Sequence, residues 1–149
     1  MVVVDPGWDV DVAWTALADG LAAIGATPEA VTGIVVTHVH PDHHGLSARL
    51  RAESGAWLAI RVEAATLPVR LMSADTGTAG IADERWLRRC GLPPDVIEQL
   101  VVPPEAMAAF LTMAEPDRLL EDGDLVPVRG RRVRTLWTPG HTPWTCVPA

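Results

Sequence analysis

At 149 residues the chain is long enough for one domain with its own core and too short for two of ordinary size. Its 48% hydrophobic and 21% charged residues are those of a globular protein, and a net charge of −7 argues against a phosphate-backbone partner, so no nucleic acid is expected. No signal-peptide pattern opens the chain and no window approaches a bilayer span, so no membrane partner is expected and the expected location is the cytoplasm.

Met1-Val2-Val3-Val4 is a β-branched apolar run that reads as a buried strand stopping at Asp5-Pro6-Gly7. Asp9 or Asp11 can then cap a helix whose Trp14, Leu17, Leu21 and Ile24 recur at three- and four-residue spacing and face the core, ending at Gly25. Thr27-Pro28-Glu29 starts one short turn before a strand over Gly33 to Thr37.

The next stretch, Thr37-His38-Val39-His40-Pro41-Asp42-His43-His44-Gly45, packs four of the chain's five histidines and an aspartate into seven positions. Imidazole and carboxylate suit a zinc-like divalent ion. At a strand end His38 and His40 project the same way and can reach one ion, while Asp42 and His43 face the same cavity from the turn and can hold a second. His44 reads as a loop or pocket residue.

A helix over Leu46 to Ser54 should point its N-terminus at this loop, and Trp57 to Ile60 is a short buried strand. Val2 to Ile60 therefore reads β-α-β-α-β, which places ligands at the carboxyl ends of the strands. From about 61 to 114 the pattern is helical, with pieces over 62–72, 82–90, 94–100 and 104–113 and a loop at Asp75 to Gly80. Trp86, Leu87 and Met107 there, at helical spacing, read as core packing. Cys90 and Cys146 lack metal-binding spacing and read as free thiols.

Leu119 and Leu120 begin a return to strands. Glu121-Asp122-Gly123-Asp124 reads as a turn, Leu125 to Val128 as a strand, Arg129-Gly130 as a tight hairpin and Arg132 to Trp137 as a further strand. That strand delivers the fifth histidine in Thr138-Pro139-Gly140-His141-Thr142.

The H-x-H-x-D-H and T-P-G-H-T motifs, preceded by a strand ending in Asp5-Pro6-Gly7, resemble those of the metallo-β-lactamase-fold hydrolases, and the resemblance spans nearly the whole chain. It implies an α/β fold: a partial αββα sandwich made of the β-α-β-α-β part, the helical insertion and a β-hairpin, in a single domain over 1–149. It implies metal ligands His38, His40, Asp42, His43 and His141, one or two zinc ions or another divalent metal, and Asp5 as a residue that orients the ligand loop. The expected chemistry is attack of metal-bound hydroxide, with Asp42 available as a catalytic proton acceptor. The expected substrate is a small-molecule ester, thioester or lactone, as in glyoxalase-type enzymes.

After His141 the chain departs from the family pattern. The usual second β-α half, with a metal-bridging aspartate and a final histidine, has no counterpart, and the strands that usually precede the one ending at Asp5 are missing. The chain thus reads as the N-terminal portion of the fold, cut at both ends. An uncovered sheet face is then expected to be met by oligomerisation or a partner chain. The alternative to a hydrolase is an inactive metal-binding fragment or an interaction module of the same fold.

Overall fold

The computed structural model of the chain describes residues 1–62, 84–100, 114–142 and 145–149. The chain divides into two compact units, one formed by 1–67 with 113–149 and the other by 68–112.

Among the described residues of the first unit, four strands form a parallel sheet in sequence order: β1 (Val2–Val4), β2 (Gly33–Val36), β3 (Trp57–Arg61) and β4 (Arg118–Leu120). The registers Val2↔Gly33, Gly33↔Trp57 and Ala59↔Arg118 fix the ladder. The β1 to β2 connection carries helix α1 (Asp11–Ala23), and the β2 to β3 connection carries the short helix α2 (Pro41–His44) and α3 (Ser47–Ser54). Three further strands, β5 (Leu125–Val126), β6 (Val133–Trp137) and β7 (Cys146–Pro148), form an antiparallel sheet.

Because side chains alternate along a strand, the parallel sheet has two apolar faces, and both are buried. On one, Ile34, Val36, Leu58 and Ile60 pack with Leu21 of α1 and Leu50 of α3. On the other, Val35, Ala59 and Leu120 pack with Val126, and Val133 of β6 adjoins that cluster. The layers are therefore helix, sheet, sheet. The antiparallel sheet's other face leaves Leu125, Leu136 and Val147 exposed.

Several local expectations are corrected. Neither Asp9 nor Asp11 caps α1: Val10 occupies the cap position with no side-chain hydrogen bond, and Asp11, inside the helix, pairs with Arg49 at 2.8 Å. Ile24 is 69% exposed, because the helix ends before it and Gly25 turns the chain with φ +74°. Arg129 and Gly130 do centre a turn, closed by Arg131 N–H donating to the Val128 carbonyl at 3.3 Å, but strand pairing starts only at Val126↔Val133, so the hairpin is wider than expected. The strand β7 has no counterpart among the expected elements.

In the second unit, α4 (Glu84–Arg89) and α5 (Pro94–Leu100) fall within the expected helical pieces, and Leu87 and Ile97 are buried. The expected helices beyond Val62 and over 104–113, the Asp75 to Gly80 loop and the side chains of Trp86 and Met107 lie outside the described residues. Among the described residues, no helix is long and apolar enough to cross a membrane.

Candidate metal centre

The histidine loop leaves the carboxyl end of β2. Past the end of β2 the strand alternation breaks, since Val36 and Val39 both pack in the helix-side core, and His38 and His40 flank Val39. His40 is the N-cap of α2, and Pro41, with no N–H to lose, opens the helix; His43 N–H and His44 N–H donate to the His40 carbonyl at 2.9 and 3.1 Å. His44 is buried and is not one of the three converging histidines.

Gly45 lets this loop approach the segment after β1. A Cβ at Gly45 would lie 2.6 Å from Asp9 N, 2.7 Å from the Pro41 oxygen and 2.9 Å from the Gly7 oxygen, all backbone atoms. Leu46 N–H donates to the Gly7 carbonyl at 2.9 Å across this contact.

His141 arrives from the loop after β6. That loop is held by Thr138 N–H donating to the Thr145 carbonyl at 3.0 Å and by a 2.7 Å bond between the Thr142 and Thr145 hydroxyls. Cys146 N–H then donates to the Thr37 carbonyl at 3.1 Å, tying β7 to the end of β2.

The result is a convergence of three imidazoles. His38 Nε2 lies 3.1 Å from His40 Nδ1, which lies 3.0 Å from His141 Nε2, and the ligand atoms of all three fall within 4.8 Å of one another. Nitrogens bound tetrahedrally at zinc distances stand about 3.3 Å apart, so the donor set fits such an ion by type and by spacing. His38 is buried, His40 half-buried and His141 exposed, leaving one side of the group open.

Burial is the main cause that lowers the His38 pKa to about 4; the neighbouring His43 and His40 add to it, and Asp5 opposes it. Burial and then His141 lower that of His40, against Asp42. Both rings are therefore neutral near pH 7, the form that ligates metal.

Asp42 and His43 stand beside the three-histidine group rather than in it. His43 Nε2 faces Asp42 Oδ2 at 3.4 Å, and the Asp42 side chain is half-exposed. The His43 ring lies 3.9 Å from that of His38, centroid to centroid. Asp5 sits beneath the loop: its Oδ1 accepts Thr37 N–H at 2.8 Å, and its Oδ2 accepts the Thr37 hydroxyl at 2.7 Å and lies 2.8 Å from His43 Nδ1. Thr37 belongs to the sequence motif but draws no role from it; its signal is a hydroxyl residue at the strand end immediately before the first histidine.

The family model of the metallo-beta-lactamase superfamily matches residues 2–148. Among solved structures, a metallo-beta-lactamase family protein from Thermus thermophilus is 27% identical with a TM-score of 0.68, covering 99% of this chain and 45% of that one. The metallo-beta-lactamase MIM-1 from Novosphingobium pentaromativorans is 25% identical, TM-score 0.63, with 97% and 43% covered. A class B3 di-zinc metallo-beta-lactamase, LRA-12, from an Alaskan soil metagenome shares the fold at 21% identity, TM-score 0.66, with 97% and 44% covered. The chain thus spans less than half the length of each of these proteins. With motif, layer order and a match over almost every residue in agreement, the chain belongs to the metallo-beta-lactamase superfamily and carries part of its fold.

Proposed function

We propose that this chain provides the metal centre of a hydrolase acting on a small-molecule ester, thioester or lactone, in the manner of the glyoxalase-type branch, with zinc as the ion. The observation that carries the reading is the convergence of His38, His40 and His141, with His38 Nε2 3.1 Å and His141 Nε2 3.0 Å from His40 Nδ1 and one ligand atom of each within 4.8 Å of the others, beside an open side. When bound, the ion supplies Lewis-acid polarisation of a carbonyl and acidifies water. His38 and His40 offer neutral nitrogens for it, and His141 completes the set. Asp42, half-exposed beside the group, takes a proton from the attacking water, or with His43 holds a second ion. The acidic net charge of −7 favours a small molecule over a nucleic acid, and the unpaired thiols Cys90 and Cys146 suit the cytoplasm.

The test is elemental analysis of protein purified without chelator, in parallel with His38→Ala, followed by a panel of thioesters and lactones. The expected result is at least one zinc per chain, lost in the variant, with turnover that follows zinc content. A wild-type chain that takes up no zinc would overturn the reading.

One observation favours a second, non-enzymatic reading: Leu125, Leu136 and Val147 share an exposed face of the antiparallel sheet. As an interaction module, the chain would bury this face against a second copy or another chain. Sedimentation of the purified protein as a monomer, with nothing bound to it, would remove that alternative.

A further inference from the structure

We infer that Arg61 is a positioning residue for the candidate metal centre: its guanidinium clasps Trp137 at the neck of the loop that carries His141, and so holds His141 against the histidines that follow β2. The inference deepens the hydrolase reading and rests on it for the part His141 plays, whereas the clasp itself belongs to the metal-free chain.

Arg61 is the last residue of β3 and is only 8% exposed, an uncommon place for a charge. It lies two residues beyond Ala59, which packs between the two sheets, so strand alternation turns its side chain the same way, toward the antiparallel sheet. There its guanidinium carbon stands 5.0 Å from the centroid of the Trp137 ring, within cation–π range. Trp137 closes β6, and its register partner Cys146 opens β7. That pair is the neck of the His141 loop: the chain leaves the sheet at one residue and returns at the other. Arg61 acts on both. Burial pushes the Cys146 thiol pKa up, and the nearby Arg61 charge pulls it back.

Backbone groups hold the same neck. Trp137 N–H donates to Asp122 Oδ1 at 2.9 Å, Thr138 N–H to the Thr145 carbonyl at 3.0 Å, and Cys146 N–H to the Thr37 carbonyl at 3.1 Å. Of these three bonds the last alone crosses to the parallel sheet, and it lands at the end of β2. Arg61 supplies a second attachment from the neighbouring strand β3, which restrains rotation of the neck about that single hydrogen bond. His38 and His40 follow β2 directly, so the 3.0 Å approach of His141 Nε2 to His40 Nδ1 depends on how the neck is seated on β2 and β3. A guanidinium suits this task because it stacks on an indole with a preferred geometry, whereas an aliphatic contact is non-directional.

The experiment measures zinc affinity, by competition with a chromophoric chelator, and amide hydrogen exchange of the metal-free chain. Wild type is compared with Arg61→Met and Trp137→Leu, each also combined with His141→Ala. Breaking the clasp should weaken zinc binding roughly 5-fold to 30-fold in either single variant, and little further when both are present. With His141→Ala already in place, neither substitution should change the remaining affinity, which a general loss of stability would lower again. In the metal-free chain, the Thr138 and Cys146 amides should exchange faster in Arg61→Met by a similar factor. The Asp5 amide, bonded to the Val35 carbonyl in the parallel sheet, should keep its wild-type rate. Unchanged zinc affinity in Arg61→Met, or an equal loss with and without His141, would overturn the inference. Should wild type take up no zinc, the hydrolase reading fails; in that case, as in a His141→Ala background too weak to titrate, the exchange rates decide the clasp, and unchanged rates at Thr138 and Cys146 overturn it.

Discussion

Replacing Gly45 by alanine tests whether the histidine loop is held by close backbone approach. Gly45 has helical dihedrals, φ −48° and ψ −55°. From propensity alone the substitution would therefore stabilise the chain, by up to about 1 kcal/mol. The structure demands the opposite sign. The new Cβ would sit 2.6 Å from Asp9 N and 2.7 Å from the Pro41 oxygen, short of ordinary contact at 3.4 Å by about 0.8 Å, against backbone that cannot swing aside. Relief requires the Gly7 to Asp9 segment to retreat, which stretches the Leu46 to Gly7 bond of 2.9 Å and draws Asp5 from His43. Overpacking and one weakened hydrogen bond together cost about 2–4 kcal/mol. In urea, with a slope of about 2 kcal/mol per molar, the unfolding midpoint of Gly45→Ala should fall by about 1–2 M. An unchanged or higher midpoint would refute the close approach.

Gly20, in the middle of α1, has nothing within 4 Å of an added Cβ, so Gly20→Ala should raise stability by about 0.5–1 kcal/mol in the same assay, the counterpart to Gly45. At Gly33 an added Cβ would fall within the Trp57 indole, a side chain that is only partly buried. Gly33→Ala should therefore cost about 1–3 kcal/mol, and much less when Trp57→Ala is already present, a non-additivity that a double-mutant cycle reads directly. The His38 pKa, lowered from 6.5 to about 4, makes the metal-free chain acid-sensitive. The unfolded chain takes up this proton first, so stability is complete above pH 6.5 and falls as pH drops toward 4, by at most about 3 kcal/mol. His38→Gln should flatten most of that slope in chelator-treated protein, as followed by urea unfolding at successive pH values, with His40, lowered in the same direction, keeping a remainder.

The elements that can be read from the sequence are those whose signal is local. Val2 to Val4, Gly33 to Val36 and Trp57 to Ile60 are continuous apolar runs, and each is a strand within a residue or so of its expected bounds. The histidines announce themselves by spacing. What cannot be read depends on partners distant in the chain. Asp11 looks like a cap until Arg49 is found beside it. Cys146–Pro148 contains a proline and only three residues, and becomes a strand because it pairs with Thr135 to Trp137 at the sheet's edge, where proline is tolerated. The hydrogen bonds of Thr37 require Asp5, 32 residues earlier, and the close approach at Gly45 requires a backbone segment folded against it.

The candidate centre also lies where the chain departs from ordinary local preferences. A non-glycine residue adopts φ +50° at Asp5, three imidazole nitrogens crowd together with His38 buried among them, and a helical-range glycine fills a place where alanine would otherwise be favoured. Each departure weakens the fold taken by itself, and each serves the same loop. The ligands also come from separate layers: His38 and His40 follow the parallel sheet, His141 follows the antiparallel one, and Cys146 N–H donating to the Thr37 carbonyl is a backbone link between them. An ion bound by all three would join the two sheets at their open end, so its affinity would appear as stability of the fold. Stability gained on adding zinc should therefore disappear in His141→Ala as fully as in His38→Ala, although His141 is exposed and contributes little to the core. Equal stabilisation of His141→Ala and wild type by zinc would show that the ion is held by the β2 loop alone.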